Sequence, residues 1–222
     1  MSKNLANGKR LYALKRYDMA LKEFKALKLD PASNMELSYY MGLVLTQLKD
    51  YEQAALFFEQ VVASDYSFFH VYQCRMILAY IYAVSGRLRL SEYEFLKTID
   101  GGIESRQVFA GLGHVFYLQK RIDLAVENLE KALRIDGKYA TAQNSLGFIL
   151  AEEEIDPGRA VELCKKALGS RPNNPVYLDS LGWAEYKCGR PLEARSYLRK
   201  ALDMAPRNKE IAAHLRQVMS GL

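Results

Sequence analysis

Half of the 222 residues are hydrophobic, 26% are charged and 11% aromatic, with 14 glycines and only 6 prolines, a composition that argues against disorder, collagen and a turn-rich all-β chain. A mean hydropathy of −0.18 goes with the absence of any apolar run near the ~18 to 20 residues that a bilayer-spanning helix needs, so the chain reads as soluble, without a transmembrane segment. The net charge of +5 splits along the chain into +4 over 1–50, −3 over 51–105, −1 over 106–155 and +5 over 156–222; without a long same-sign run, nucleic acid is not an expected partner.

The opening stretch, MSKNLANGKRLYALKRYD, is basic but holds no apolar core ahead of a small-residue cleavage site. No signal peptide is expected there, and the expected location is cytoplasmic, or periplasmic or membrane-associated if a further native N-terminal segment precedes it. The cysteines, Cys74, Cys164 and Cys188, are odd in number and far apart, which suits neither a disulfide framework nor a zinc site and favours a reducing compartment; Cys164 and Cys188 read as small core hydrophobes.

One period organises the chain. Small residues stand at Gly8, Gly42, Ala79, Gly113, Gly147 and Gly182, separated by 34, 37, 34, 34 and 35 residues. A second small residue follows 12 further on at Ala20, Ala54, Ser91, Ala125 and Ala194, and 13 further on at Ala160. Four residues later come Phe24, Phe58, Phe95, Leu129, Cys164 and Leu198. Each unit holds two segments of helical periodicity broken by short polar turns such as LKRY, LKDY, SGRL, QKRI and CGRP. That predicts six helix-turn-helix units, approximately 1–33, 34–70, 71–104, 105–138, 139–173 and 174–206. The small residues would let the two backbones of a hairpin approach, with the large residue filling the gap toward the next hairpin.

The third unit departs furthest, with Ala79 and Ser91 in the small slots, an Asp100-Gly101-Gly102 turn and about three extra residues around SDYSFFHVYQ; the fifth unit inserts one near EEEIDPG. A bend or change of pitch is expected near 64–72 and 100–106. After the sixth unit, RNKEIAAHLRQVMS places Ile211, Leu215, Val218 and Met219 on one helical face, a solvating cap over 207–220.

These residues carry a resemblance to the tetratricopeptide repeat family, whose ~34-residue unit has a Leu-Gly step, an aromatic, then Ala, Phe, Ala and Pro. It is strongest in YLDSLGWAEYKCGRPLEARSYLRKALDMAP, where the DSLGW run is similar to those of bacterial members, and it extends to about residue 206. The resemblance implies an all-α fold, a right-handed α-solenoid of six helix-turn-helix repeats plus a C-terminal capping helix, in one domain over 1–222.

Signals of catalysis are thin. His70, His114 and His214 are far apart in the repeat lattice with no Cys or carboxylate at metal-ligand spacing, and the Gly111–Gly113 pair follows no strand. Glu152, Glu153 and Glu154 sit beside an inter-helix turn, where a solvated end explains them. No enzyme activity, catalytic residue, cofactor or metal is expected.

In the family, the first helix of every hairpin lines a concave groove. Positions −3, +1 and +4 from each small residue share one helical face, and the resemblance makes it the groove face. Tyr12, Tyr39, Tyr80, His114, Tyr117, Asn144, Phe148, Asp179, Trp183 and Tyr186 fall there and form the candidate partner-binding groove. An apolar, tyrosine-rich lining suits a peptide or partner helix, against the alternative that the rings only pack on adjacent first helices. At the groove positions no first helix combines Lys and Asn one turn apart, as members that clamp a C-terminal carboxylate do: Asn144 is followed by Phe148, and Lys9 is preceded by Leu5. The expected function is a non-catalytic protein–protein interaction scaffold, binding an apolar or amphipathic segment within a bacterial envelope, secretion or motility assembly. Two other readings stand beside it: a basic adaptor for an anionic membrane or polyanion through residues such as Arg195, Arg199 and Lys200, and a homo-oligomer formed through the N-terminal repeat, whose outer face would leave Leu5 and Leu11 uncovered.

Overall fold

The computed structural model describes residues 5–64 and 66–221. Among these residues there are thirteen α-helices, one 3-10 turn (Pro31–Ser33) and no strand. The chain divides into two compact units, one ending at Ile103 and one beginning at Glu104. The first holds the hairpins α1 (Leu5–Ala13) with α2 (Tyr17–Ala26), α3 (Met35–Gln47) with α4 (Tyr51–Val62), and α5 (Phe68–Val84) with α6 (Leu88–Asp100). The second holds α7 (Arg106–Leu118) with α8 (Ile122–Ile135), α9 (Ala140–Glu152) with α10 (Pro157–Ser170), and α11 (Pro175–Lys187) with α12 (Pro191–Met204), followed by α13 (Lys209–Ser220).

Helix starts are written in short polar side chains. Asn34 and Ser105 accept the N–H of the third residue on, and Asp156 and Asn174 do the same in front of prolines at the first helical position. Each such cap is worth ~1 kcal/mol. The stops recur as well. Seven residues after each small residue the backbone turns left-handed, at Lys15, Lys49, Gly86, Lys120, Glu154 and Gly189, with φ between 53° and 79°. The following N–H reaches back five residues to a helix carbonyl, as Asp50 to Leu45 and Arg121 to Phe116, both in 3.0 Å or less. Every first helix therefore ends in the same way.

The small residues do bring backbones together, but the large residue fills a different gap from the one expected. Phe58 lies over Gly42 of its own hairpin, where an added Cβ would stand 2.7 Å from the ring, and Cys164 lies over Gly147, where a Cβ would meet the sulfur at 2.6 Å and the Ala160 carbonyl at 3.0 Å. The contact is within the hairpin because both residues face the shared helix–helix seam. In the third hairpin the same seam is closed by polarity: the buried Ser91 hydroxyl donates to the Ala79 carbonyl at 2.7 Å.

Four details differ from expectation. The extra residues near 64–72 extend α5 to 17 residues, starting at Phe68 rather than near 71; Asp65, within that stretch, lies outside the described residues. Leu5 and Leu11 are not an uncovered outer face: spaced along one side of α1, both are buried with Ala20, Phe24, Leu37 and Met41. Cys188, expected in the core, is half-buried at the end of α11, whereas Cys74 and Cys164 are fully buried. Of the expected face of α13, Met219 is exposed, whereas Ile211 and Val218 are buried where the helix docks.

Candidate functional site

The positions singled out in the sequence all lie on first helices, and the two units use them differently. In the first unit the rings satisfy one another. Tyr39 on α3 is 9% exposed, and its hydroxyl donates to Gln73 Oε1 on α5 at 2.6 Å. Burial, with smaller contributions from Cys74 and Tyr40, pushes the Tyr39 hydroxyl up to about 12. Tyr12 on α1 is half-buried, with its ring 6.3 Å from Tyr40, which also packs on Tyr39 at 5.4 Å and Phe24 at 6.1 Å. Lys9, paired with Glu36, lies over the Tyr40 ring at 4.8 Å. Tyr80 on α5 is the open member, 51% exposed and edge-on to Tyr51.

In the second unit a line of rings crosses four helices. Tyr117 of α7 meets Phe148 of α9 edge-on at 6.1 Å; Phe148 lies 6.2 Å from His214 of α13; His214 stacks on Trp183 of α11 at 4.3 Å and 20°; and Trp183 meets Tyr186 at 5.4 Å. Tyr117, Phe148 and Tyr186 are half-buried, and His114 is exposed one turn before Tyr117. Trp183 is only 3% exposed because α13 closes over it, and its indole N–H donates to Glu152 Oε2 at 2.7 Å. Asp179, also buried, holds His214 Nδ1 through both carboxylate oxygens at 2.9 and 3.1 Å. Burial works against a charged His214, but its bond to Asp179 and the charges of Asp179, Glu210 and Glu152 outweigh it, so its pKa is raised. Asn144, one turn before Phe148, is buried with its Oδ1 unpartnered.

Sequence reasoning passed over Tyr40 and Glu210, and weighed Glu152 and His214 only as a solvated helix end and as a metal or catalytic candidate. A signal existed for His214: it shares the stripe of Ile211, Leu215 and Val218 at helical spacing. Glu152 is not merely a solvated helix end, because the indole donor reaches it from the next first helix. Glu154 holds Lys187 at 2.6 Å. Among the described residues no three His, Cys, Asp or Glu side chains gather as a metal ligand set, and no helix is long and apolar enough to cross a membrane.

Tetratricopeptide repeat profiles match residues 5–67 and 176–205, and a TPR repeat profile matches 113–153, together more than half of the chain. A TPR repeat-containing protein of Pseudomonas aeruginosa is 43% identical over 101 residues, 44% of this chain and 17% of its own length. The type IV pilus assembly protein PilF of the same organism is 31% identical over 129 residues, 57% of this chain and 51% of its own length. The chain thus spans about half or less of these curated relatives. Among solved structures, Cut9 with Hcn1 in an APC/C hetero-tetramer superimposes with a TM-score of 0.79 at 14% identity, over 96% of this chain and 42% of that one. YrrB, described as a TPR protein with an unusual peptide-binding site, gives 0.59 at 20% identity, over 90% and 97%.

Proposed function

Because the chain belongs to the tetratricopeptide repeat family, we propose that it is a non-catalytic scaffold that holds an apolar or amphipathic segment of a partner protein on the face of its first helices. The observation that carries this reading is the continuous line of rings from Tyr117 through Phe148, His214 and Trp183 to Tyr186. Aromatic side chains with few rotors and a polar edge are the residue types on which interface energy concentrates. The likeness to a type IV pilus assembly protein speaks for a partner inside a bacterial envelope, secretion or motility assembly.

The burial pattern decides which substitutions test it. Trp183 and Asp179 are held by α13, so Trp183→Ala acts first on the fold, costing ~3 kcal/mol or more. Tyr117 and Phe148 keep surface available. The double variant Tyr117→Ala, Phe148→Ala is expected to lose partners in affinity capture from cell extract while retaining its helical circular dichroism. Capture of the same proteins in the same amounts by wild type and variant would sink the proposal.

A further inference from the structure

The chain carries a net charge of +5, yet the ring line of the second unit is edged by carboxylates. Glu152 and Glu153 stand at the end of α9 and Glu210 in the first turn of α13. Glu152 spends one oxygen on the Trp183 indole, and among the described residues none of the three forms an ion pair. They converge on one ring: the Tyr117 hydroxyl is pushed up by burial and then by the charges of Glu152, Glu153 and Glu210. The cations nearby are fewer or already used. Lys120 lies over Tyr117 at 5.4 Å; Lys187 lies over Trp183 but is bonded to Glu154; His214 is bonded to Asp179.

A second observation points the same way. Asn144 is 7% exposed, on the face of α9 that carries Phe148, and its Oδ1 has no donor. A buried acceptor without a partner costs on the order of 1–3 kcal/mol, which a donor on a ligand relieves. The surface thus offers apolar rings edged by carboxylates, with Lys120 as the cation beside Tyr117 that holds no carboxylate among the described residues. A lysine or arginine side chain complements it, its stem lying on the rings and its head meeting carboxylates or a ring face.

We propose that this face of the second unit binds a basic amphipathic protein segment, apolar side chains on Tyr117 and Phe148 and interleaved Lys or Arg reaching Glu152, Glu153 and Glu210. The inference rests on the scaffold reading above and names the chemistry of its partner.

The test selects a displayed random library of peptides of about a dozen residues against the full chain. Enriched peptides are then titrated by fluorescence anisotropy against wild type, the double variant Glu153→Gln, Glu210→Gln, and the double variant Tyr117→Ala, Phe148→Ala. Glu153 and Glu210 are exposed, so the first variant keeps the fold. Expected are net-positive peptides with interleaved apolar residues, bound about three- to tenfold more weakly by the glutamine variant at low salt, with the difference shrinking as salt rises, and lost by the ring variant. Neutral or acidic peptides that the ring variant releases overturn the basic partner and leave the scaffold face standing. Peptides indifferent to the ring variant, or none enriched, overturn both.

Discussion

Lys49 holds a backbone conformation that suits it poorly. At φ 63° it occupies the left-handed region, as do Lys15, Lys120 and Glu154 at the equivalent point of their hairpins, while the third and sixth hairpins use Gly86 and Gly189 there. A side chain bearing Cβ costs roughly 1–2 kcal/mol in this region, and part of that advantage for glycine is returned through the greater freedom of its unfolded chain. Lys49→Gly is therefore expected to stabilise the protein by about 0.5–1 kcal/mol in urea denaturation; unchanged or lower stability would show that the turn relaxes around lysine without strain.

At the level of elements, α13 does more than shield a last repeat. Its His214 stacks on Trp183 and binds Asp179, both on α11, and comes near Phe148 on α9, with Glu152 and Glu210 as further charges facing it. Since the folded pKa of His214 is raised above its unfolded value of ~6.5, its contribution to α13 docking is fully present below pH ~6.5 and is lost as pH rises through the folded value. Trp183 is the single tryptophan, so its fluorescence reads this contact directly. A titration midpoint above ~6.5 is expected in wild type, falling in Asp179→Asn; a midpoint insensitive to that substitution would remove Asp179 as the cause. Much of each hairpin was legible beforehand, because the seam between paired helices repeats its small and large residues at fixed spacing. The closure of Trp183 and Asp179 was not, since α13 has no counterpart in the repeat and His214 meets them across more than thirty residues of sequence. Leu5 and Leu11 were misplaced for a related reason: periodicity gives the stripe on α1 but not which neighbour covers it.

Taken as a whole, the molecule assigns different surfaces to its two units. The first packs Tyr12, Tyr39 and Tyr40 largely on one another, whereas in the second Glu153 and Glu210 have no ion-pair partner among the described residues. The repeating seam also leaves a chemical handle in each. Cys74 in the first unit and Cys164 in the second are fully buried, and burial pushes both thiols up to about 12. Protonated and shielded, neither sulfur is open to an alkylating reagent until the helices around it part. In a chain with Cys188 replaced by serine, the labelling rates at Cys74 and Cys164 are expected to fall far below that of a free thiol and to rise independently with denaturant. The two sulfurs then time the opening of their own units while the rest of the protein remains native.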